Sequence, residues 1–436
     1  MDINLSTLVT GREVSLKDML DAREHRQEVQ RMLLSEHHLP VISFTLNIVG
    51  PVKVFPLALR TFHEGIRLIE TQCHAWKIPI IATYSTTSHT GHEYFWAVDG
   101  DVRFIKEHLC LLEDSVALGR LFDIDVIQTD GMKISRTDLG FSTRKCLICN
   151  QEAFVCSRAR THSVKELLEQ ECQIMTNYFA KQHARKLSSL SMQALVYEVS
   201  VTPKPGLVDR NNTGAHQDMD IFTFEASAVS LNHYFEQFAL CGIENGHEPF
   251  SRIFSRLRSL GYMYANHIPY SPDTLLKINR KLVADVLEDF NDVTVENART
   301  NGERLYALYG MKGARGEALS GYHTVLKKAL PVLKHQLDRG LSLNDAGAVT
   351  LLYIMAHSED TNIVNRSSYH SMKKIQALLR ETLNDPEFIN KDPIPYLESL
   401  DREFIKNNIS PGGSADLLAL TFFLYLFENS GLSSIL

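Results

Sequence analysis

The spacing of apolar residues changes near residue 160, and this change constrains the fold more than any other feature of the sequence. Before it, alternating runs such as Val41–Ile48 interchange with runs of three- and four-residue spacing such as Pro56–Trp76. From Ser163 onward the longer spacing prevails. Alternation is typical of strands and the longer period of amphipathic helices. The sequence therefore predicts an α+β domain of residues 1–165 followed by an all-α domain of residues 166–436.

Polar breaks divide both regions into elements. In the first region, strands are predicted over Val41–Ile48, Ile78–Tyr84, Glu93–Val98 and Leu121–Ile127, and helices over Ser15–Glu36, Pro56–Trp76 and Val102–Glu113. In the second region, helices are predicted over Ser163–Ser200, Phe222–Ala239, Pro272–Phe290, Gly321–Arg339, Asn344–Ala356 and Ala415–Phe427. No low-complexity linker separates the two regions.

Length and charge argue against several classes of protein. The 436 residues exceed what one hydrophobic core usually holds, which favours two domains. A formal net charge of −7 supplies no basic surface for nucleic acid. Met1–Asn4 lacks a signal-peptide pattern, the longest apolar run is about half a membrane span, and the seven cysteines are unevenly spaced. We therefore expect a cytoplasmic protein that binds neither nucleic acid nor a membrane.

Two loops of the helical region are dense in polar residues. In the first, Lys204 stands between two prolines and is followed by Gly206, a stiff arrangement that suits a phosphate. Asp218 and Asp220 follow, and Mg²⁺ takes one or two carboxylates together with phosphate oxygens. The alternative is a surface turn with solvated charges and an aspartate that caps a helix. In the second loop, Gly412 and Gly413 precede an apolar helix, so their amides suit an anion or merely form a turn.

Two further loops carry charged residues at helix ends. One contains Arg315 and Glu317 between glycines, and the other contains Asp360 and leads to Arg366. Each alone is more often an ordinary helix-end loop. Together, the four loops are expected to converge on a pocket of the size of a triphosphate.

Asp123 and Asp125 are the sharpest feature of the first region. Residues two apart on a strand share a face, so these carboxylates are expected to point the same way. Like charges on an apolar strand are costly without a cation, which favours Mg²⁺ at a transferred nucleotide. The alternative is an edge strand with solvated acids. The basic residues proposed for phosphate contacts are Arg12, Arg23, Arg26, Lys53 and Arg120.

Cys146, Cys149, Cys156 and His162 have the ligand types and spacing of a small Zn²⁺ site. A single CxxC pair is only moderately specific. Reduced buried thiols and a redox role are the alternatives.

Longer motifs resemble two known families. The first region resembles apo-citrate lyase phosphoribosyl-dephospho-CoA transferase at Gly11–Arg12, Leu20–Arg26, Leu46–Lys53, Gly119–Val126 and Arg144–Cys149. The second resembles triphosphoribosyl-dephospho-CoA synthase at Thr202–Asp209, Gly214–Met219, Gly313–Glu317, Asp360–Asn362 and Ser410–Asp416. One departure lies after Asn362, where the family is expected to have His-Arg and glycines and this chain has Asn365–Ser368.

The resemblance implies a bifunctional transferase whose first domain has a nucleotidyltransferase fold. Its substrates would be ATP and 3′-dephospho-CoA, with Mg²⁺ expected and adenine released. Phosphoribosyl-dephospho-CoA would then pass to a serine of the acyl carrier (gamma) subunit of citrate lyase, with release of pyrophosphate. Alternatives are the same chemistry serving malonate decarboxylase, or a nucleotide sensor without turnover.

The resemblance also implies roles for residues of the matching motifs. Phosphate or nucleotide binding is expected of Lys204, Gly206, His216, Arg315, Asn362, Arg366, Gly412, Gly413 and Ser414 in the second region. Metal binding or acid–base chemistry is expected of Asp218, Asp220, Glu317 and Asp360. In the first region, Asp123 and Asp125 would hold Mg²⁺ while pyrophosphate leaves.

Overall fold

The computed structural model describes residues 4–149, 151–245, 293–313, 316–317, 322–385, 388 and 392–432. The chain divides into two compact units, Met1–Lys181 and Gln182–Leu436. The predicted helix Pro272–Phe290 and the beginning of the predicted helix Gly321–Arg339 lie outside the described residues. No helix in the described part of the chain is long and apolar enough to cross a membrane.

The first unit combines helices with one antiparallel sheet. Its elements are α1 (Leu5–Leu8), α2 (Leu16–His37), β1 (Val41–Leu46), α3 (Pro56–Ala75), β2 (Ile80–Ser88), β3 (Gly91–Val98), α4 (Val102–Ser115), β4 (Phe122–Ile127) and α5 (Ala153–Ala159). The strand order among the described residues is β2-β3-β1-β4, so β4 lies at an edge. The predicted α+β character of this region is confirmed. Each predicted element is observed with somewhat different ends, whereas the short helices α1 and α5 were not predicted.

Local sequence explains where α2 begins. The Ser15 hydroxyl accepts from the Asp18 N–H, and the Asp18 carboxylate accepts from the Ser15 N–H, which forms a capping box.

Alternation then gives the sheet two buried faces. Ile42, Phe44 and Trp96 lie in the core that also contains residues of α3 and α4. On the other face, Val41 and Phe95 pack with α2. The central strands β1 and β3 are therefore mostly buried, with Ser43 and Thr45 among their buried polar side chains, whereas the edge strand β2 is largely exposed.

The second unit is helical in its described residues, as predicted. Its elements are the end of α6 (Val164–Ser200), then α7 (Ile221–Asn245), α8 (Asn301–Tyr309), α9 (Leu330–Asp338), α10 (Leu343–His357), α11 (Thr361–Arg366), α12 (Tyr369–Asn384), α13 (Ile394–Lys406) and α14 (Gly412–Asn429). A π-helical turn, Val325–Ala329, precedes α9. The predicted boundary after residue 165 falls inside α6.

Helix α10 is the centre of the second unit. Ten of its residues are buried, from Ala346 through Ala356, so it is apolar nearly all round. It packs against α9, α12 and α14. Gly347 permits the approach of α14, because a Cβ atom there would lie 2.7 Å from the Phe422 ring.

We predict opposite effects for the same substitution at two helical glycines. Gly347→Ala should lower the free energy of unfolding by roughly 1–3 kcal/mol, since the added methyl overpacks the core. Gly242→Ala should raise it by up to about 1 kcal/mol, because nothing lies within 4 Å of the added Cβ and alanine favours the helix. Chemical denaturation followed by circular dichroism measures both, and equal shifts would contradict this account of α10.

Candidate active sites in the two units

Three of the four predicted polar loops of the second unit meet in space. The Lys312 N–H donates to Glu359 Oε2 over 3.0 Å. A Cβ atom on Gly313 would lie 2.9 Å from Thr361 Cγ2, and one on Gly412 would lie 2.6 Å from Asn362 Nδ2. The glycines therefore permit these loops to approach at the beginning of α11 and α14.

Asp360 joins the two helix ends. Its carboxylate accepts from the Ser414 N–H at 2.7 Å and the Ser414 hydroxyl at 2.8 Å. It also accepts from the Asn362 and Ile363 N–H groups of α11 at 2.9 and 3.3 Å. The side chain is 2% exposed, and burial raises the pKa of Asp360 although these hydrogen bonds oppose the shift. Asp360 thus caps two helices, and its part in chemistry stays a prediction.

His216 brings the first loop to the same place. Arg366 Nη2 donates to His216 Nδ1 over 3.1 Å, and His216 Nε2 lies 3.0 Å from Ser410 Oγ. Since arginine only donates, Nδ1 accepts and the imidazole proton is on Nε2. Burial, followed by the charge of Arg366, lowers the pKa of His216. All four loops are therefore represented in one cluster.

Lys204 was expected to present its ammonium group to a phosphate, but the structure buries it. It is 2% exposed, and its Nζ atom is 2.5 Å from Glu198 Oε1. The flanking prolines therefore direct the ammonium to a carboxylate inside the unit. Gly206 has φ of +70° and donates its N–H to Asp401 Oδ1 at 2.8 Å, so its glycine identity is required by the backbone.

Asp416 is a candidate site residue that the sequence analysis did not single out. It follows Gly412 by four positions, one turn along α14, and its side chain is exposed. Desolvation of the carboxylate, followed by repulsion from Glu198 and Asp360, raises the pKa of Asp416 to about 6. In the sequence, the position of Asp416 one helical turn after Gly412 and Gly413 could have indicated that its side chain lies near the expected anion site.

The other predicted acids of the second unit are less central. Asp218 is exposed. Asp220 is exposed and caps α7, because its carboxylate accepts from the Thr223 N–H at 2.8 Å. This agrees with the alternative interpretation of the first loop, in which an aspartate caps a helix. Glu317 accepts from the Thr324 hydroxyl at 2.5 Å. Arg315 lies outside the described residues.

The first unit has a cavity of about 210 Å³ at one end of the sheet. Its walls include Arg23, Arg26, Lys53 and Asp123. Arg26 Nη2 is 2.6 Å from Glu93 Oε1. Lys53 Nζ donates to the Ile48 carbonyl at 2.5 Å, and burial lowers the pKa of Lys53. Cations and one of the two predicted acids therefore share a cavity.

Asp123 and Asp125 share a face of β4, as predicted. They stand opposite Thr45 and Ser43 of β1 and alternate with buried residues. Only Asp123 lines the cavity, whereas Asp125 Oδ2 is 2.5 Å from Lys133 Nζ.

Two predicted phosphate ligands are not among the residues lining this cavity. Arg12 is exposed. Arg120 donates to the carbonyl oxygens of Lys145 and Cys146, at the beginning of the cysteine-containing segment. That segment brings Cys146, Cys149, Cys156 and His162 together.

Comparison with known proteins identifies both units. Residues 14–178 match the model of the family described as apo-citrate lyase phosphoribosyl-dephospho-CoA transferase. Residues 184–268 and 269–434 match that of ATP:dephospho-CoA triphosphoribosyl transferase. The protein is a bifunctional transferase. It belongs to the fused proteins that join these two families in one chain, which confirms the resemblance stated from the sequence.

Relatives cover both the fusion and its second part. The chain is 30% identical to Protein CitXG of Haemophilus influenzae over 96% of this chain and 98% of the relative. It is 31% identical to Protein CitXG of Leuconostoc mesenteroides subsp. cremoris over 95% and 97%. It is 32% identical to the 2-(5''-triphosphoribosyl)-3'-dephosphocoenzyme-A synthase of Haemophilus ducreyi over 63% of this chain and 98% of that protein.

The two aspartate caps yield a stability prediction. Asp360→Asn should lower the free energy of unfolding by about 1–3 kcal/mol, because an amide nitrogen would face donors that it cannot satisfy. Asp220→Asn should change it by only a few tenths of a kcal/mol, since one oxygen accepts both bonds from Thr223 and asparagine caps equally well. Urea denaturation of both variants is the measurement. If Asp360→Asn lowered the free energy of unfolding no more than Asp220→Asn does, Asp360 would not be the residue that holds the beginnings of α11 and α14 together.

Proposed function

We propose that the second unit joins ATP and 3′-dephospho-CoA. A ribose hydroxyl of dephospho-CoA attacks C1′ of the ATP ribose, the bond from C1′ to adenine breaks, and a triphosphoribosyl group is linked to the CoA ribose. The hydroxyl loses a proton and adenine gains one. The observation that carries this proposal is the cluster of polar loops at the beginning of α14, taken with the synthase family of residues 184–434.

The beginning of α14 suits the triphosphate. The Ser414 N–H is taken by Asp360 and the Ala415 N–H donates to the Pro411 carbonyl. The amides of Gly412 and Gly413 are the remaining donors at this helix end among the described residues. Helix N-termini with glycines bind phosphate well, and Arg366 adds a positive charge nearby. Phosphate binding at this end would hold C1′ close to the acidic residues.

Asp416 is the proposed base for the ribose hydroxyl. Its carboxylate is accessible, lies one turn beyond the two glycines and neighbours Glu198 and Asp360. A pKa near 6 leaves it mostly ionised at neutral pH and still able to accept a proton. Lys204 would stabilise the neighbouring Glu198 rather than touch the phosphates.

Mg²⁺ would neutralise triphosphate charge when bound. Phosphate oxygens with one or two carboxylates are its usual ligands, and the exposed Asp218 offers one such group. Asp220 already accepts two bonds on Oδ1, which leaves its other oxygen.

For the first unit, we propose transfer of phosphoribosyl-dephospho-CoA to a serine of the citrate lyase acyl carrier subunit. The serine oxygen attacks the phosphorus next to the ribose, and the bond to pyrophosphate breaks. Arg23 and Lys53 would contact the phosphates in the cavity, and Asp123 would hold Mg²⁺ there. Asp125, on the same face of β4, would join Asp123 as a ligand by exchanging its salt bridge to Lys133 for the ion. The antiparallel sheet with both acids on one face supports a nucleotidyltransferase type of fold.

Separate sites predict separable activities. Asp123→Asn should reduce carrier labelling at least about 100-fold, because Asp123 lines the cavity of the first unit. It should leave adenine release unchanged, because that reaction is assigned to the second unit. Gly412→Ala should reduce adenine release about 100-fold, since the added methyl obstructs the helix end, and should leave labelling from preformed triphosphoribosyl-dephospho-CoA intact. Adenine is measured by chromatography and labelling by carrier mass. Loss of both activities in both variants would refute the two-site proposal.

The proposed base predicts a pH profile. Adenine release should rise as pH passes upward through about 6 and then level off, because ionised Asp416 accepts the proton. Asp416→Asn should lower kcat by roughly 100-fold or more and remove this rise. Glu428→Gln, at the far end of α14, should keep the profile of the unaltered enzyme. An unchanged rise in Asp416→Asn would exclude the assignment.

A further inference from the structure

The cysteine-containing segment folds back on itself between β4 and α6. The Cys146 N–H donates to the Gln151 carbonyl at 2.8 Å, and Lys145 pairs with Glu152 as an isolated bridge. This closure places the CxxC turn beside α5, which carries Cys156, and His162 follows α5 directly.

Four potential ligand atoms lie at distances suited to one ion. One atom from each of Cys146, Cys149, Cys156 and His162 lies within 4.8 Å of all the others. The Sγ atom of Cys156 is 3.4 Å from that of Cys146 and 3.9 Å from that of Cys149. Tetrahedral zinc with bonds of about 2.3 Å to sulfur separates its sulfur ligands by about 3.8 Å.

The histidine provides a second, independent observation. The Nε2 atom of His162 is buried and has no hydrogen-bond partner among the described residues. A buried nitrogen without a partner is costly, and a metal ion would remove that cost. A disulfide between two of the cysteines would leave this nitrogen as it is, so a redox pair does not explain the cluster.

We propose that Cys146, Cys149, Cys156 and His162 form a structural Zn²⁺ site. Three thiolates and one neutral imidazole complete a closed tetrahedral set, and binding releases the thiol protons. Zinc with a Cys₃His set is typical of structural sites that leave no open position for substrate.

The site would position the acidic strand. Arg120, directly before β4, donates to the carbonyls of Lys145 and Cys146. Arg144 donates to the Phe122 carbonyl at 2.6 Å and pairs with Glu113 of α4 at 2.5 Å. Fixing this segment therefore fixes the beginning of β4, which carries Asp123 and Asp125. This consequence for carrier transfer rests on the function proposed above, whereas zinc binding does not.

Metal analysis of the full chain, purified without chelator, tests the site. The unaltered protein should contain one zinc per chain, and Cys149→Ser and His162→Ala should lose most of it. Cys241→Ser, a cysteine of α7 outside the cluster, should retain zinc fully. Zinc far below one per chain in the unaltered protein, or full retention in Cys149→Ser, would overturn the proposal.

Cobalt substitution keeps the test decisive if a variant fails to fold. The unaltered chain, stripped and reloaded with Co²⁺, should show the intense visible absorption of tetrahedral thiolate coordination, and prior addition of Zn²⁺ should suppress it. Removal of zinc by a chelator, followed by removal of the chelator and return of Mg²⁺, should lower carrier labelling and leave adenine release unchanged. Absence of the cobalt spectrum would overturn the site, whereas the spectrum with unaltered labelling would overturn only the positioning role.

Discussion

The buried carboxylate of Asp360 is the interaction on which the helical unit's candidate site depends. It accepts from backbone groups at the beginning of α11 and of α14, segments more than 50 residues apart in sequence. Four donors on one carboxylate offset the cost of burying it. The junction holds the Gly412–Gly413 end beside Asn362 and so determines where an anion would bind.

The sheet imposes a comparable constraint on the first unit. Helices pack on both faces of the central strands, and the charged residues of the described strands are Glu93, near one end of β3, and Asp123 and Asp125 on the edge strand β4. Alternation places Asp123 and Asp125 on one face, but they have different surroundings, a cavity with Lys53 and a salt bridge to Lys133. Two acids that appear equivalent in sequence are therefore chemically distinct.

Local patterns predicted much of the fold. The helix predicted to begin at Ser15, the alternation in β1 and β4 and the helix predicted over Asn344–Ala356 depend on neighbours in sequence, and the structure has all three. The polar loops come together as expected from composition, whereas a pocket of the size of a triphosphate at that place stays a prediction. Side-chain direction was harder to predict, because it depends on partners that local patterns do not reveal. Lys204 pairs with Glu198, and Arg120 contacts the segment of Cys146. The pKa of Asp416 is raised by desolvation and then by Glu198 and Asp360.

Two successive reactions in one chain are the central claim, and the order of product release tests it most directly. The full-length protein is given ATP and dephospho-CoA, and adenine and pyrophosphate are followed before and after the citrate lyase acyl carrier subunit is added. The account predicts adenine without pyrophosphate before the addition, then pyrophosphate equimolar with labelled carrier. Pyrophosphate released without the carrier, or carrier labelled without earlier adenine release, would contradict it.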